Sequence, residues 1–132
     1  MDTKAVVVFG ESEKGGYHKP YLCHSLPQLV DTLGHPPPDS RGLFFAVQTI
    51  LYDYPTLFFR VREEGFSYND YFKGVELLRK HGGEMNLGAL FAPGVGSSEV
   101  IEALSGTCEL CEGILITTES DLYDFLTDSS FY

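Results

Sequence analysis

The sequence predicts an α/β three-layer sandwich: a mainly parallel four-stranded sheet in the order 2-1-3-4 with helices on both faces. Three observations lead there. Apolar runs rich in β-branched and aromatic residues alternate with helix-patterned stretches four times along 132 residues, as parallel strands joined by helical crossovers do. The first strand-like run, Ala5 to Phe9, is apolar throughout instead of alternating, as a strand covered on both faces is. The length suits one domain, residues 1–132, and 43% hydrophobic with 14% aromatic content suffices for a real core.

The elements follow in order. Lys4 to Phe9 reads Lys-Ala-Val-Val-Val-Phe and stops at Gly10; it is the first strand. Glu11 to His24, polar and aromatic with Gly15-Gly16 and Pro20, reads as a long loop. Ser25 caps a helix, Gln28 completes a capping-box pattern, and Leu26, Leu29, Val30 and Leu33 share a face before Gly34. Pro36-Pro37-Pro38 is a stiff connector. Gly42 to Asp53 fits two readings: the spacing of Leu43, Phe44, Val47, Ile50 and Leu51, with Asp39 and Ser40 as caps, favours a helix, and the rival is an antiparallel hairpin turning at Tyr54-Pro55.

Thr56 to Arg62 is the second strand. Ser67 and Asp70 open a helix with Tyr68, Tyr71, Phe72, Val75 and Leu78 as its apolar face; Arg79, Lys80 and His81 suit its negative end, and Gly82-Gly83 ends it. Leu87 to Ala92 is the third strand, Ser98 to Leu104 a helix stopped at Gly106, Gly113 to Thr117 the fourth strand, and Asp121 to Leu126 a last helix capped by Thr118 or Ser120. With the first strand central, the sheet is Rossmann-like, and ligands of such sheets bind beyond the carboxyl ends of the strands.

The formal net charge of −10 argues against nucleic-acid backbones and anionic membranes, whose recognition needs clustered Lys and Arg. The charge is unevenly spread. Residues 1 to 66 carry six basic and eight acidic side chains, residues 67 to 132 three and eleven, and no Lys or Arg follows Lys80. The final stretch holds Glu84, Glu99, Glu102, Glu109, Glu112, Glu119, Asp121, Asp124 and Asp128. It either keeps the surface solvated or steers a basic partner. No apolar run approaches the roughly 18 residues of a membrane span, and the start, Met1-Asp2-Thr3-Lys4, lacks a secretory pattern. Three cysteines, Cys23, Cys108 and Cys111, fit a reducing compartment, so a cytoplasmic protein is expected. Cys108-Glu-Leu-Cys111 has the spacing of half a zinc site or a redox dithiol, but no second half exists, and the pair falls between a helix end and a strand start; no metal and no cofactor is assigned.

Two loops carry candidate chemistry. After the third strand, Ala92-Pro93-Gly94-Val95-Gly96-Ser97-Ser98-Glu99 runs into a helix, and the amides of Gly94, Gly96, Ser97 and Ser98 form a candidate anion cradle. It is no dinucleotide fingerprint, because Glu99 stands near where a third glycine belongs. After the first strand, Lys14, His18 and Lys19 share one loop and are candidates to close over the anion; Gly16 and Tyr17 stand where a phosphate-binding loop has Lys and Ser or Thr, which speaks against nucleoside triphosphate hydrolysis. The charged strand ends Arg60, Arg62, Glu63 and Glu64 and Thr117, Thr118, Glu119 and Asp121 would join them on one rim, without a nucleophile, base and orienter that spacing identifies; no catalytic residue is assigned. The leading expectation is a non-enzymatic interaction or regulatory module that binds a protein partner or another copy of itself through strand-end loops and aromatic patches. The alternative is a small-anion binder or enzyme, phosphate or nucleotide-like in ligand, at the carboxyl ends of the strands.

Overall fold

A computed structural model of the chain describes residues 4–81 and 86–127. Its order is β1 (Ala5–Gly10), β2 (Pro20–Cys23), α1 (Leu26–Leu33), α2 (Gly42–Leu51), β3 (Thr56–Arg60), α3 (Tyr68–His81), β4 (Leu87–Phe91), α4 (Ser98–Cys111), β5 (Ile114–Ile116) and α5 (Glu119–Thr127). The glycine pair expected to end α3, with Glu84 and Asp128, lies outside the described residues. The fold is α/β, with strands in the order β2-β3-β1-β4-β5. β1, β3, β4 and β5 are parallel and stand in the order expected for the four predicted strands.

The correction to that expectation is β2. Pro20 to Cys23, read as loop, pairs antiparallel with β3 from Pro20↔Phe59 to Cys23↔Thr56 and makes the sheet five-stranded. Four residues starting with proline show no usable period, yet an edge strand tolerates proline because only one side of it needs donors. Its outer side is closed by Gln28 of α1, whose amide donates to the Leu22 carbonyl (3.1 Å) and accepts from the His24 N–H (2.8 Å). The side chain thus occupies the edge as another strand would.

β1 is the axis of the core. Val6 and Val8 face one cluster, with Leu29, Leu33, Phe58 and Phe91, roofed by α1, α2 and α5. Val7 and Phe9 face the other, with Tyr71, Leu90 and Leu104, under α3 and α4. None of Val6 to Phe9 retains accessible surface, which is why this segment reads as a continuous apolar run.

The helices bring further corrections. Gly42 to Leu51 is helical, but neither Asp39 nor Ser40 caps it: Asp39 adopts φ +64° and the Ser40 hydroxyl donates to the Pro37 carbonyl. The buried stripe of α3 is Asp70, Tyr71, Gly74, Val75 and Leu78, whereas Tyr68 and Phe72 stay exposed. Gly106 does not stop α4, which continues to Cys111; a β-carbon there would stand 2.8 Å from Arg79 Nη2, so this glycine admits the guanidinium whose Nε donates to Thr107 Oγ1. Thr118 caps α5 by accepting from the Asp121 N–H.

Gly74 lets α3 lie against the sheet. A β-carbon there would stand 2.4 Å from Cε2 of Phe9, whose ring stacks on Phe59 and Tyr71 at 5.0 and 5.2 Å. Gly74→Ala is therefore expected to lower stability by about 1–3 kcal/mol in urea unfolding, although alanine is the better helix former by about 1 kcal/mol. A more stable variant would show that the ring stack yields freely.

Candidate functional site

Because β1, β3, β4 and β5 run parallel, their carboxyl ends share one rim. At its centre β1 and α2 touch: a β-carbon on Gly42 would stand 2.5 Å from the Gly10 α-carbon, so both positions need glycine. The free amides at the start of α2 would suit an anion, but the chain supplies its own. Glu64 Oε2 accepts from the N–H groups of Glu11 and Gly42, both at 2.9 Å, and Oε1 accepts from the Arg41 N–H at 2.8 Å. In return the Glu11 carboxylate accepts from the Glu64 N–H at 2.9 Å. Arg41 also pairs with Glu119 at the start of α5. Next to this knot Gly65, at φ +88°, lies so close to the Gly94 carbonyl that a β-carbon would be 2.4 Å from its oxygen, and its N–H donates to the hydroxyl of buried Tyr71 (2.7 Å). Burial pushes the Tyr71 phenol far above its usual range and keeps it protonated.

The expected cradle residues lie along this rim. Gly94, at φ +79°, backs onto Gly65; Gly96 has open space around its α-carbon; Ser97 caps α4 by accepting from the Val100 N–H; Ser98 is the first residue of α4. The three titratable residues of the β1–β2 loop separate. The Lys14 N–H donates to the Leu33 carbonyl at the end of α1, and Lys19 lies over the Tyr21 ring at 5.7 Å. His18 crosses to the opposite face of the sheet and meets α3. Among the described residues, no hydrogen bond, ion pair or ring contact joins Lys14, His18 or Lys19 to the segment from Gly94 to Ser98.

The crossing is fixed at two points. Tyr17 bridges to Arg60, and its ring lies between the guanidiniums of Arg60 and Arg62 at 4.5 and 4.2 Å, a geometry that attracts cations to the ring face. His18 follows in a left-handed conformation, φ +60°, an uncommon state for a side chain of this size. Asp70 repays it. Its side chain is 1% exposed; Oδ1 takes His18 Nε2 at 2.7 Å and Arg62 Nη1 at 2.6 Å, and Oδ2 accepts from the Arg62 N–H at 2.8 Å. Burial alone would raise the Asp70 pKa, but the hydrogen bonds from the Arg62 backbone, His18 and Ser67 together with the Arg62 charge outweigh it and hold the carboxyl below its usual range.

His18 also lines a cavity of about 280 Å³ with Lys73, Glu76, Leu77 and Lys80. These four α3 residues recur at the spacing of one helix face. His18 Nδ1 makes no hydrogen bond to the described residues, so Asp70 fixes the ring by one nitrogen and leaves the other for a ligand. Of the expected site residues, His18 lines this cavity, beside α3 residues of which Lys80 alone stood out in the sequence, as suiting the negative end of the helix. Asp70 was legible only as a helix opener. The stronger signal was its place four residues before Gly74 and eight before Leu78, on the buried stripe.

The cysteine pair lies in the last turn of α4 and not between helix and strand. Burial, and then the neighbouring Cys111, push Cys108 up to about 11, and burial raises Cys23 and Cys111 as well. All three are thiols at neutral pH. Among the described residues no three His, Cys, Asp or Glu are grouped to hold a metal ion, and no helix is long and apolar enough to cross a membrane.

No protein-family model, curated protein or solved structure matches this chain. Its function is read from its own side chains.

Proposed function

We propose that the chain binds a small anion of the phosphate-ester class in the cavity between the β1–β2 loop and α3. The observation that carries this reading is His18, held by buried Asp70 with one ring nitrogen uncommitted, on a cavity lined by Lys73 and Lys80. The surrounding charge agrees. Seven of the nine Lys and Arg side chains, Lys14, Lys19, Arg60, Arg62, Lys73, Arg79 and Lys80, belong to the β1–β2 loop, the end of β3 with the turn after it, and α3. In a protein of net charge −10 the two lysines that line the cavity, Lys73 and Lys80, favour an anion there. Glu76, whose carboxylate is 3.8 Å from Lys73 Nζ, offsets part of that charge. The anion position at the start of α2 is closed by Glu64.

Thermal unfolding with inorganic phosphate and with glycerol 3-phosphate, at ionic strength matched with chloride, tests the reading. A ligand at a hundred times its Kd stabilises by about 2.7 kcal/mol. The shift is expected to vanish in a Lys73→Ala, Lys80→Ala double variant, whose unligated stability should stay within about 0.5 kcal/mol of the parent because both side chains are exposed. Absence of any shift, or a shift that survives the double substitution, would overturn the proposal.

A further inference from the structure

The two edges of the sheet are treated differently. At β2 the Gln28 amide fills the outer hydrogen-bonding positions of Leu22 and His24. At β5, among the described residues, nothing does so. β5 is the last strand of the sheet and pairs only with β4, in the register Ala89↔Ile114, Leu90↔Leu115 and Phe91↔Ile116. The Ile116 carbonyl accepts from the Ala92 N–H, so by the alternation of a strand Leu115 turns its own N–H and C=O to the open side. Ile114 on this strand is 55% exposed, and Leu110, in the last turn of α4 that leads into it, is 67% exposed.

We infer that the β5 edge is a docking site for an extended basic segment of another protein, which would add to the sheet as a further strand. Charge selects this occupant. Glu109 and Glu112 at the end of α4 and Asp121 and Asp124 on α5 are exposed, and no Lys or Arg follows Lys80 in the chain. The nearby arginines are committed elsewhere: Arg41 pairs with Glu119 and Arg79 bonds Thr107. A second copy is disfavoured at both edges, since an antiparallel β5–β5 pair about Leu115 would bring Glu109 and Glu112 of one copy toward Glu119 and Asp121 of the other, and β2 is closed by Gln28. A foreign strand with Lys or Arg at alternate positions gains main-chain bonds at Leu115, apolar contact with Leu110 and Ile114, and carboxylate partners.

The placement of Glu109 and Glu112 goes against local preference. α4 has no basic residue in its last turn and ends at Glu112 in a left-handed conformation, φ +60°, where glycine is favoured and the helix dipole disfavours a carboxylate. Glu112→Gly is therefore expected to keep or raise stability while weakening docking.

The test uses a fluorescein-labelled seven-residue peptide alternating Lys with Val, its Glu-for-Lys counterpart, and a version with a central proline. Fluorescence anisotropy at about 0.05 M salt should show saturable binding of the first peptide only, with the Leu115 amide protected from hydrogen exchange. Affinity should fall at least tenfold in Glu112→Gly combined with Ile114→Lys, and again at about 0.3 M salt, where screening is strong. Failure to bind, equal binding of the proline peptide, or affinity unchanged in the double variant would overturn the inference. So would a concentration-dependent dimer abolished by Ile114→Lys, which would make the occupant a second copy.

Discussion

Replacing Glu64 with alanine is expected to destabilise the protein by about 3 kcal/mol, the largest loss from any single polar side chain of the rim. Its carboxylate takes the N–H groups of Glu11, Arg41 and Gly42. It ties the end of β1 to the start of α2 and serves as the cap that α2 otherwise lacks. A cap alone contributes about 1–2 kcal/mol, and a hydrogen bond to a charged group about 1.5–3 kcal/mol; Glu64 is half-buried, so water recovers part of what is lost. Glu64→Gln keeps an acceptor but removes the charge from the helix start, and about 1–2 kcal/mol should go. The alanine variant vacates an anion site, so added formate should restore part of its stability and leave the parent unaffected. Guanidinium unfolding at increasing formate, with ionic strength held by chloride, reads both effects. A loss under about 1 kcal/mol would mean that Glu64 only decorates the rim.

Glu64 also shows where the sequence stops being legible. The elements themselves were readable because burial imposes periods on them: Ala5 to Phe9 is apolar because both faces are covered, and Leu26, Leu29 and Leu33 repeat at the pitch of a helix. Crossover rules limited the orders open to the parallel strands, and the one chosen among them, with the first strand central, is that of β3-β1-β4-β5. The contacts of the site obey no such period. Glu64 acts on amides 22, 23 and 53 positions away, and Asp70 meets a histidine 52 positions away, distances over which spacing carries no information. Glycine was ambiguous for a related reason. Gly34 and Gly106 look alike in sequence, but one ends α1 at φ +78° while the other lies within α4 and makes room for Arg79. The β2 edge went unread because its four residues, one of them proline, derive their conformation from β3 and Gln28 and not from their own pattern.

Asp70→Asn is expected to lower stability by about 2–3 kcal/mol at pH 7 and to disable the His18 cavity. The asparagine retains one carbonyl oxygen for three donors, His18 Nε2, Arg62 Nη1 and the Arg62 N–H, and sets its own NH2 against one of them. His18 and Arg62 are part-exposed, so solvent limits the loss to less than a fully buried pair would show. The pH dependence separates charge from shape. The folded-state pKa of Asp70 is depressed, so its contribution is fully present above the ordinary carboxylate value near 3.9 and is lost as pH falls through the lower folded value. The parent should therefore lose stability below about pH 4 more steeply than Asp70→Asn, and the two curves should draw together in acid. The phosphate-induced shift should shrink in Asp70→Asn even though Lys73 and Lys80 are intact, because the released ring no longer presents Nδ1 in one orientation. Asp70→Glu, which restores the charge at a longer reach, should recover part of the stability without the ligand response. Equal pH profiles for parent and Asp70→Asn, or an undiminished phosphate shift in that variant, would mean that Asp70 fills space and does not position His18.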